Sequence, residues 1–197
     1  MIIQEKVMKK KKIILGSSSQ YRKSLLSTLG FDFTCVAPNI DESRLLNEEP
    51  ENMSSRLAIE KAKKICSSEK DCLVISSDSC ASCDGRILGK PLNKETSIEY
   101  LKFISGKNIF FYTSVCVMDS ETKEFKSDSA KYKIKIKKLE LKDIINYVEE
   151  HKPFNSSAAF RYEVAKDILI EDFVDIENDI SGLIGLPLVK LKKILDI

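Results

Sequence analysis

The chain has 197 residues, of which 43% are hydrophobic and 31% are charged, and its formal net charge is only +2. That length suits one domain of moderate size with a substantial core. So small a net charge excludes recognition of nucleic acid or membranes through a strong overall field. No apolar run reaches the roughly 20 residues of a membrane span, and the run after the lysines at 9–12 is too short for a secretory signal.

The six cysteines are scattered along the chain. A core of this size does not need a disulfide scaffold, so we expect free thiols in a reducing cytoplasm. Cys80 and Cys83 form one C-x-x-C spacing, but a structural zinc site needs two more ligands, and His151 is the only histidine. We expect a cytoplasmic protein with one domain over 1–197 and a flexible leader at 1–10.

The first half of the chain predicts alternating strands and helices. In chain order these are a strand at 12–15, a helix at 20–29, a strand at 31–38, an acidic loop at 39–53, a helix at 54–67, a buried strand within 72–80 that ends at Asp78, and a hairpin at 83–91. Ser19 is a candidate N-cap of the first helix, and Gly30 a stop signal after it. Asp84-Gly85 is a typical hairpin turn pair.

The second half predicts long strands followed by helices. They are a helix from Asn93 to Ile104, strands at 109–118 and 125–138, a helix at 141–150, and a last helix with Pro187 in its first turn. The second of these strands alternates apolar residues with lysines, which is typical of a strand with one buried face. The whole pattern predicts an α/β fold with a long mixed central sheet and two lobes around a cleft.

The stretch "ILGSSSQYRKSLLSTLGF" (14–31) places serines and two cations where a strand becomes a helix. Backbone N–H groups at a helix start and the helix dipole favour anions. The guanidinium of Arg22 can form paired hydrogen bonds with phosphate oxygens, and Lys23 adds a point charge. The alternative interpretation is a well-capped surface helix with two exposed cations.

Carboxylates and two lysines elsewhere in the chain are further candidates for a site that binds phosphate. Asp78 follows an apolar strand and is a candidate base or metal ligand, or else a turn aspartate. Asp41 and Glu42 supply hard oxygen ligands, or else are solvated loop residues. Lys61 is a surface lysine unless its helix end faces the site, and Lys90 in "GKP" is a candidate phosphate contact.

These residue types together describe a site for a polyphosphate and a divalent metal. Cations, carboxylates and serine hydroxyls suit phosphoryl or nucleotidyl chemistry, which depends on positioning and charge neutralisation. A single histidine argues against nucleophilic catalysis assisted by histidine.

The set of motifs resembles the Maf family of nucleoside triphosphate pyrophosphatases. The matches are, in family order, "SSSQYRKSLL" near the start, "DES" at 41–43, "RLAIEKA" at 56–62, "SSD" at 76–78, "DGRILGKP" at 84–91, "SG" at 105–106 and "GLPL" at 185–188. They cover nearly the whole chain. The resemblance implies a two-lobed Maf/ITPase-like fold, often a homodimer, and release of pyrophosphate and a nucleoside monophosphate.

The resemblance also implies roles for individual residues. Asp78 is implied as the general base, and Glu42 and Asp78 as ligands of a divalent cation (Mg, Mn or Co). The residues implied to hold the triphosphate are Ser17, Arg22, Lys23, Lys61 and Lys90.

The subfamily that the chain resembles hydrolyses 7-methyl-GTP and removes modified nucleotides. Tyr21, Ser79 and Glu163 are the candidate specificity residues, since an aromatic face and a carboxylate suit a cationic methylated guanine. That subfamily usually has glutamine at position 79 and glycines around 158, 164 and 165, where this chain has serine, alanine, valine and alanine. The alternatives are a dTTP/UTP-type or broad-specificity pyrophosphatase, and a nucleotide-binding regulator of cell division with low turnover.

Overall fold

The computed structural model describes residues 11–175 and 178–197, and Asp175 by its backbone alone. The expected leader at 1–10 therefore lies outside the described residues. The described strands are β1 (Lys12–Gly16), β2 (Phe33–Cys35), β3 (Cys72–Cys83), β4 (Arg86–Leu88), β5 (Asn108–Asp119), β6 (Phe125–Ile136) and β7 (Ile170–Asp175). The described helices are α1 (Gln20–Ser27), α2 (Pro50–Ser68), α3 (Lys94–Ile104), α4 (Leu141–His151), α5 (Tyr162–Ile168), α6 (Ser181–Ile184) and α7 (Leu188–Leu195).

The seven described strands form one mixed sheet. Their order is β2-β1-β3-β5-β6-β7, and β4 pairs with β3 off this path. β1 is parallel to both β2 and β3, whereas β4 and β7 are antiparallel to their neighbours. The prediction of an α/β fold with a long mixed sheet is confirmed.

The chain divides into two compact units. Of the described residues, the first unit contains 11–79 together with Thr113–Ala130 and Asp179–Ile197. The second unit contains Cys80–Tyr112 and Lys131–Asn178. Each unit contains part of β3, β5 and β6, and the expectation of one domain over the whole chain stays a prediction.

In the first unit β1 is buried on both faces, as its continuous apolar run predicts. Ile14 packs with residues of α2, while Ile13 and Leu15 pack with residues of α1 and α7. At the end of β1, a Cβ on Gly16 would lie 2.8 Å from Ile65 Cδ1 and 3.3 Å from Ser76 Cβ. Glycine therefore lets β1 approach α2 and β3 closely just before the serine stretch begins.

In the second unit the predicted turn and cap are confirmed. Asp84 and Gly85 both have positive φ, at 47° and 76°, in the turn that joins β3 and β4. The Asn93 side chain accepts a hydrogen bond of 2.8 Å from Thr96 N and so caps α3. On β6, Tyr132 and Ile134 are buried while the intervening Lys133 is exposed, as the alternating pattern predicts.

Several predicted boundaries are wrong. β3 does not end at Asp78 but continues to Cys83, because residues 81–83 pair with β4. β2 is shorter than predicted, since only 33–35 pair with β1. α2 begins earlier than predicted because Pro50 at its first position has a backbone angle that suits a helix start.

The C-terminal region differs most from the sequence-based expectation. Pro187 is the N-cap of α7 rather than a residue of its first turn. α5, β7 and α6 were not predicted from the sequence, and each has seven residues or fewer. None of the helices in 11–175 and 178–197 is long and apolar enough to cross a membrane.

Candidate active site

Asp78 lies in β3 of the first unit and is only 7% exposed. Its Oδ1 atom is 2.5 Å from Lys61 Nζ, which is itself 2.7 Å from Glu42 Oε1. A strand, a loop and a helix thus bring two carboxylates, those of Asp78 and Glu42, to the ammonium of Lys61. Two carboxylates and one lysine that are far apart in sequence therefore form a single cluster, which we call the Asp78 cluster.

Lys61 is buried because it lies on the apolar face of α2. The buried residues of this helix are Ser54, Leu57, Ala58, Lys61, Ala62, Ile65 and Cys66. Lys61 is 4% exposed, so its ammonium has left water and needs an anionic partner. The interpretation of Lys61 as a surface lysine is therefore wrong, and its helical spacing from Ala58 and Ile65 is the sequence signal for burial.

Burial and charge act in opposite directions on Asp78. Burial raises the pKa of Asp78 above its ordinary value, because the ionised carboxylate is poorly hydrated. The positive charges of Lys61 and Arg22 oppose this rise in the pKa, and the nearby Glu42 carboxylate adds to it. A raised carboxylate pKa in a set of opposite charges is typical of functional sites.

The serine stretch places Arg22 beside these charges. The Ser19 side chain accepts a hydrogen bond of 3.4 Å from Arg22 N, which confirms Ser19 as the N-cap of α1. Ser17 is buried, and its Oγ accepts bonds from Ser19 N at 3.1 Å and from Arg22 Nη1 at 3.4 Å. Burial lowers the pKa of Arg22, whereas the charges of Asp78 and Glu42 raise it. An arginine side chain remains protonated in either case.

A C-terminal backbone segment orients Arg22 from the other side. Arg22 Nε donates a 2.8 Å hydrogen bond to Gly185 O, which also accepts a 2.8 Å bond from Ser77 Oγ. Gly185 has φ +131°, and a Cβ there would lie 3.4 Å from Arg22 Nε. Glycine is thus favoured both by the backbone angle and by the approach of Arg22.

Ser79 is tied to the same C-terminal segment. Thr113 Oγ1 donates a 2.8 Å hydrogen bond to Gly182 O and lies 3.2 Å from Ser79 Oγ. The residue after Asp78 is therefore held through a buried threonine. Sequence reasoning missed Ser77, Thr113 and Gly185 as parts of the site, although the "GLPL" match pointed to this segment.

Of the first two carboxylates in the acidic loop, Asp41 and Glu42, only that of Glu42 contacts the Asp78 cluster. Glu42 reaches Lys61, whereas Asp41 Oδ1 accepts hydrogen bonds from Ser43 N at 2.9 Å and Ser43 Oγ at 2.6 Å. These bonds hold the pKa of Asp41 below its ordinary value. The Asp41 carboxylate is thus hydrogen-bonded within its own loop, and Glu42 is the loop carboxylate available to the site.

The other candidate residues are more exposed. In the first unit Tyr21 is 39% exposed, and Lys23 is exposed in the first turn of α1. In the second unit Lys90 is exposed after β4, and Glu163 is exposed in the first turn of α5. The structure thus brings together five candidate residues in the first unit, which are Ser17, Arg22, Glu42, Lys61 and Asp78. Lys90 and Glu163 belong to the second unit.

The Asp78 cluster has a donor set that fits a hard divalent cation. Mg²⁺ in proteins is commonly bound by one or two carboxylates together with substrate phosphates and water. Glu42 and Asp78 converge on a single positive group, Lys61 Nζ, so their oxygens already face a common centre. The described part of the chain contains no group of three His, Cys, Asp or Glu side chains arranged as metal ligands, so water or substrate oxygens would complete the coordination.

An α/β sheet with a buried aspartate, a second carboxylate, a lysine and an arginine beside parallel strands defines a class of site suited to polyphosphate chemistry. The sequence model of the family described as "Maf-like protein" matches residues 12–197, so the chain belongs to this family.

Curated relatives are similar over nearly their whole length. A protein of Colwellia psychrerythraea named 7-methyl-GTP pyrophosphatase is 41% identical over 92% of this chain and 90% of its own length. Proteins of the same name from Vibrio parahaemolyticus and Nitrosococcus oceani are 37% and 35% identical, over 93% of this chain and 94% and 92% of their own lengths. A solved structure of a HAM1 protein from Coxiella burnetii has a TM-score of 0.48 at 14% identity, covering 80% of this chain and 91% of that one.

Proposed function

We propose that this chain is a nucleoside triphosphate pyrophosphatase that hydrolyses 7-methyl-GTP to the nucleoside monophosphate and pyrophosphate. The observation that carries the proposal is the Asp78 cluster, in which a buried carboxylate lies 2.5 Å from a buried lysine. Family membership and relatives named 7-methyl-GTP pyrophosphatase support the substrate. A role in removing a modified nucleotide follows from that substrate.

In the proposed reaction, water attacks the α-phosphorus. The new bond joins the water oxygen to this phosphorus as the bond to the oxygen bridging the α- and β-phosphorus atoms breaks. Pyrophosphate leaves with the electron pair, and the Asp78 carboxylate takes the proton from the attacking water. Ionised Asp78 is suited to this role because Lys61 stabilises its negative charge despite its burial.

The triphosphate needs neutralising charge before it can react. Ser17, Arg22, Lys23, Lys61 and Lys90 are the proposed contacts to its oxygens, with Arg22 held in place by Gly185 O and Ser17 Oγ. Glu42 and Asp78 would hold Mg, Mn or Co, which neutralises phosphate charge when bound. Fixed positive groups in a site depleted of water stabilise the charge that develops in the transition state.

Base selection is assigned to Tyr21, Ser79 and Glu163. Methylation at N7 makes guanine cationic, and an aromatic ring and a carboxylate both favour a cation. The carboxylate of Glu163 can also accept hydrogen bonds from the N1–H and amino groups of guanine. Tyr21 and Glu163 are both exposed, which leaves their side chains accessible to a ligand.

A substrate panel tests this function. Purified protein is incubated with Mg, Mn or Co and with 7-methyl-GTP, GTP, dTTP or UTP, and pyrophosphate release is measured. We expect the highest kcat/KM with 7-methyl-GTP, and in ¹⁸O-labelled water we expect the label in the monophosphate. A preference for dTTP or UTP overturns the choice of base, whereas no turnover of any nucleotide overturns the enzyme and favours a nucleotide-binding regulator.

A further inference from the structure

Glu42 belongs to a segment that has no regular structure of its own. Residues 36–49, between β2 and α2, form neither helix nor strand. The Glu42 side chain is 47% exposed, and yet its carboxylate lies 2.7 Å from the buried Lys61 ammonium. Something other than helix or sheet hydrogen bonds must therefore hold this part of the chain against α2.

The guanidinium of Arg56, on α2, makes that connection. Its Nη2 atom donates a 3.0 Å hydrogen bond to the backbone oxygen of Ser43, the residue next to Glu42. Its Nε and Nη2 atoms also bond both carboxylate oxygens of Glu48, at 2.6 and 2.8 Å. One planar group thus holds the loop at two points, five residues apart in sequence, and we call Arg56, Glu48 and the Ser43 carbonyl the Arg56 clamp.

Glu48 also organises the loop from within. Its Oε2 accepts a 3.1 Å hydrogen bond from Leu45 N, and its backbone oxygen accepts a 2.8 Å bond from Arg44 Nε. The hydrogen bonds from Arg56 hold the pKa of Glu48 below its ordinary value. Glu48 is therefore an ionised anchor on which several groups of the loop converge.

The Arg56–Glu48 pair is better shielded than an ordinary surface ion pair. The side chains of Arg56 and Glu48 are 19% and 8% exposed. Arg56 also contacts Glu60 at 3.0 Å, but Glu60 is 42% exposed and lies one turn away on the same helix. Paired, shielded hydrogen bonds between a guanidinium and a carboxylate fix geometry, whereas an exposed pair contributes little.

We propose that Arg56 and Glu48 are positioning residues that hold Glu42 in place for metal binding at the Asp78 cluster. The inference rests on the proposed function, because Glu42 is a metal ligand only if that site binds a cation. Arg56 acts through the loop, since its guanidinium hydrogen-bonds Glu48, Glu60 and the Ser43 carbonyl. The "RLAIEKA" motif thereby contributes Arg56 to the site in addition to Lys61.

Glu48→Gln tests the clamp, with Glu60→Gln as the matched control that removes the other carboxylate from the same guanidinium. Free Mn²⁺ is measured by electron paramagnetic resonance without nucleotide. We expect Glu48→Gln to weaken Mn²⁺ binding about tenfold, the effect typical of residues that orient metal ligands, and Glu60→Gln to leave it unchanged. Amide hydrogen exchange of 41–47 should also become faster in Glu48→Gln alone.

A double-mutant cycle separates positioning from a general structural effect. In a Glu42→Gln background, Glu48→Gln should cause no further loss of Mn²⁺ affinity, because the ligand it positions is already gone. Additive losses, or equal losses in Glu48→Gln and Glu60→Gln, overturn the proposal. If the wild-type protein binds no Mn²⁺, the proposed metal site fails, and the exchange rates of 41–47 alone decide whether the clamp exists.

Discussion

The Asp78 cluster and the segment around Glu163 differ in how their charged groups are held. Asp78 is 7% exposed and is paired with the buried Lys61 near the charge of Arg22, whereas Glu163 is exposed in the first turn of a seven-residue helix. A buried charge must be compensated by fixed partners, but an exposed carboxylate is hydrated and needs none. The reacting groups are thus set by the fold, while the proposed specificity group is left accessible for the ligand.

The backbone near Glu163 shows a second difference. Ala158 and Ala159 are fully buried and have positive φ, at 56° and 57°. That region of backbone space favours glycine, and the resemblance implies glycines near these positions. This segment therefore carries alanine side chains in a backbone conformation that suits glycine, in the same unit as Glu163.

The largest effect is expected for Asp78→Asn. Asparagine keeps the size of the side chain but cannot take a proton from water, so kcat should fall about 10³-fold with every nucleotide. Pyrophosphate release measures this loss, and circular dichroism checks the fold. Asp71→Asn is the matched control, because Asp71 is exposed just before the same strand and its φ of 49° is tolerated by asparagine. Retained turnover would remove Asp78 as the base.

A smaller effect, with a defined pH dependence, is expected for Lys61→Met. The Lys61 charge holds the pKa of Asp78 down against burial, so its loss should raise that pKa further. Since the base must be ionised, the acidic limb of the kcat/KM profile should move to higher pH by about one to three units. Loss of one partner of a buried ion pair should also lower the free energy of unfolding by about 3–5 kcal/mol.

The exposed Lys64→Met on the same helix is the control for this variant. It removes one positive charge from α2 without touching Asp78, so its pH profile should match that of the wild type. A Lys61→Met profile with an unchanged acidic limb would show that Lys61 does not set the ionisation of Asp78. The comparison between buried and exposed charges would then lose its main support.

Much of the fold around the site is predictable from the sequence because local signals agree there. Ser19 caps α1 as expected, and the apolar runs of β1 and β3 predict their burial. The Asp84-Gly85 turn was predictable, but the position of Asp78 inside a strand was not, because β3 continues to that turn through the pairing of residues 81–83 with β4.

The parts of the site that could not be predicted from the sequence are formed by contacts between distant segments. The bond from Arg22 to Gly185 O spans 163 residues, and no local pattern at either end encodes it. The Arg56 clamp is closer in sequence, yet an arginine eight residues after a glutamate is not a recognised spacing. Lys61 is the exception, since its place in the apolar stripe of α2 marks it as buried.

The smallest and most selective effect is expected for Glu163→Gln. Glutamine has the same shape but no charge, so hydrogen bonds and attraction to a cationic base weaken while the triphosphate contacts remain. The ratio of kcat/KM for 7-methyl-GTP to that for GTP should fall about tenfold, the size of one lost charge-assisted hydrogen bond. The control is Glu171→Gln, an exposed carboxylate on β7 of the same unit. If Glu163→Gln instead lowers turnover of all nucleotides equally, as Asp78→Asn should, then Glu163 belongs with the reacting groups and the division between buried chemistry and exposed selectivity is wrong.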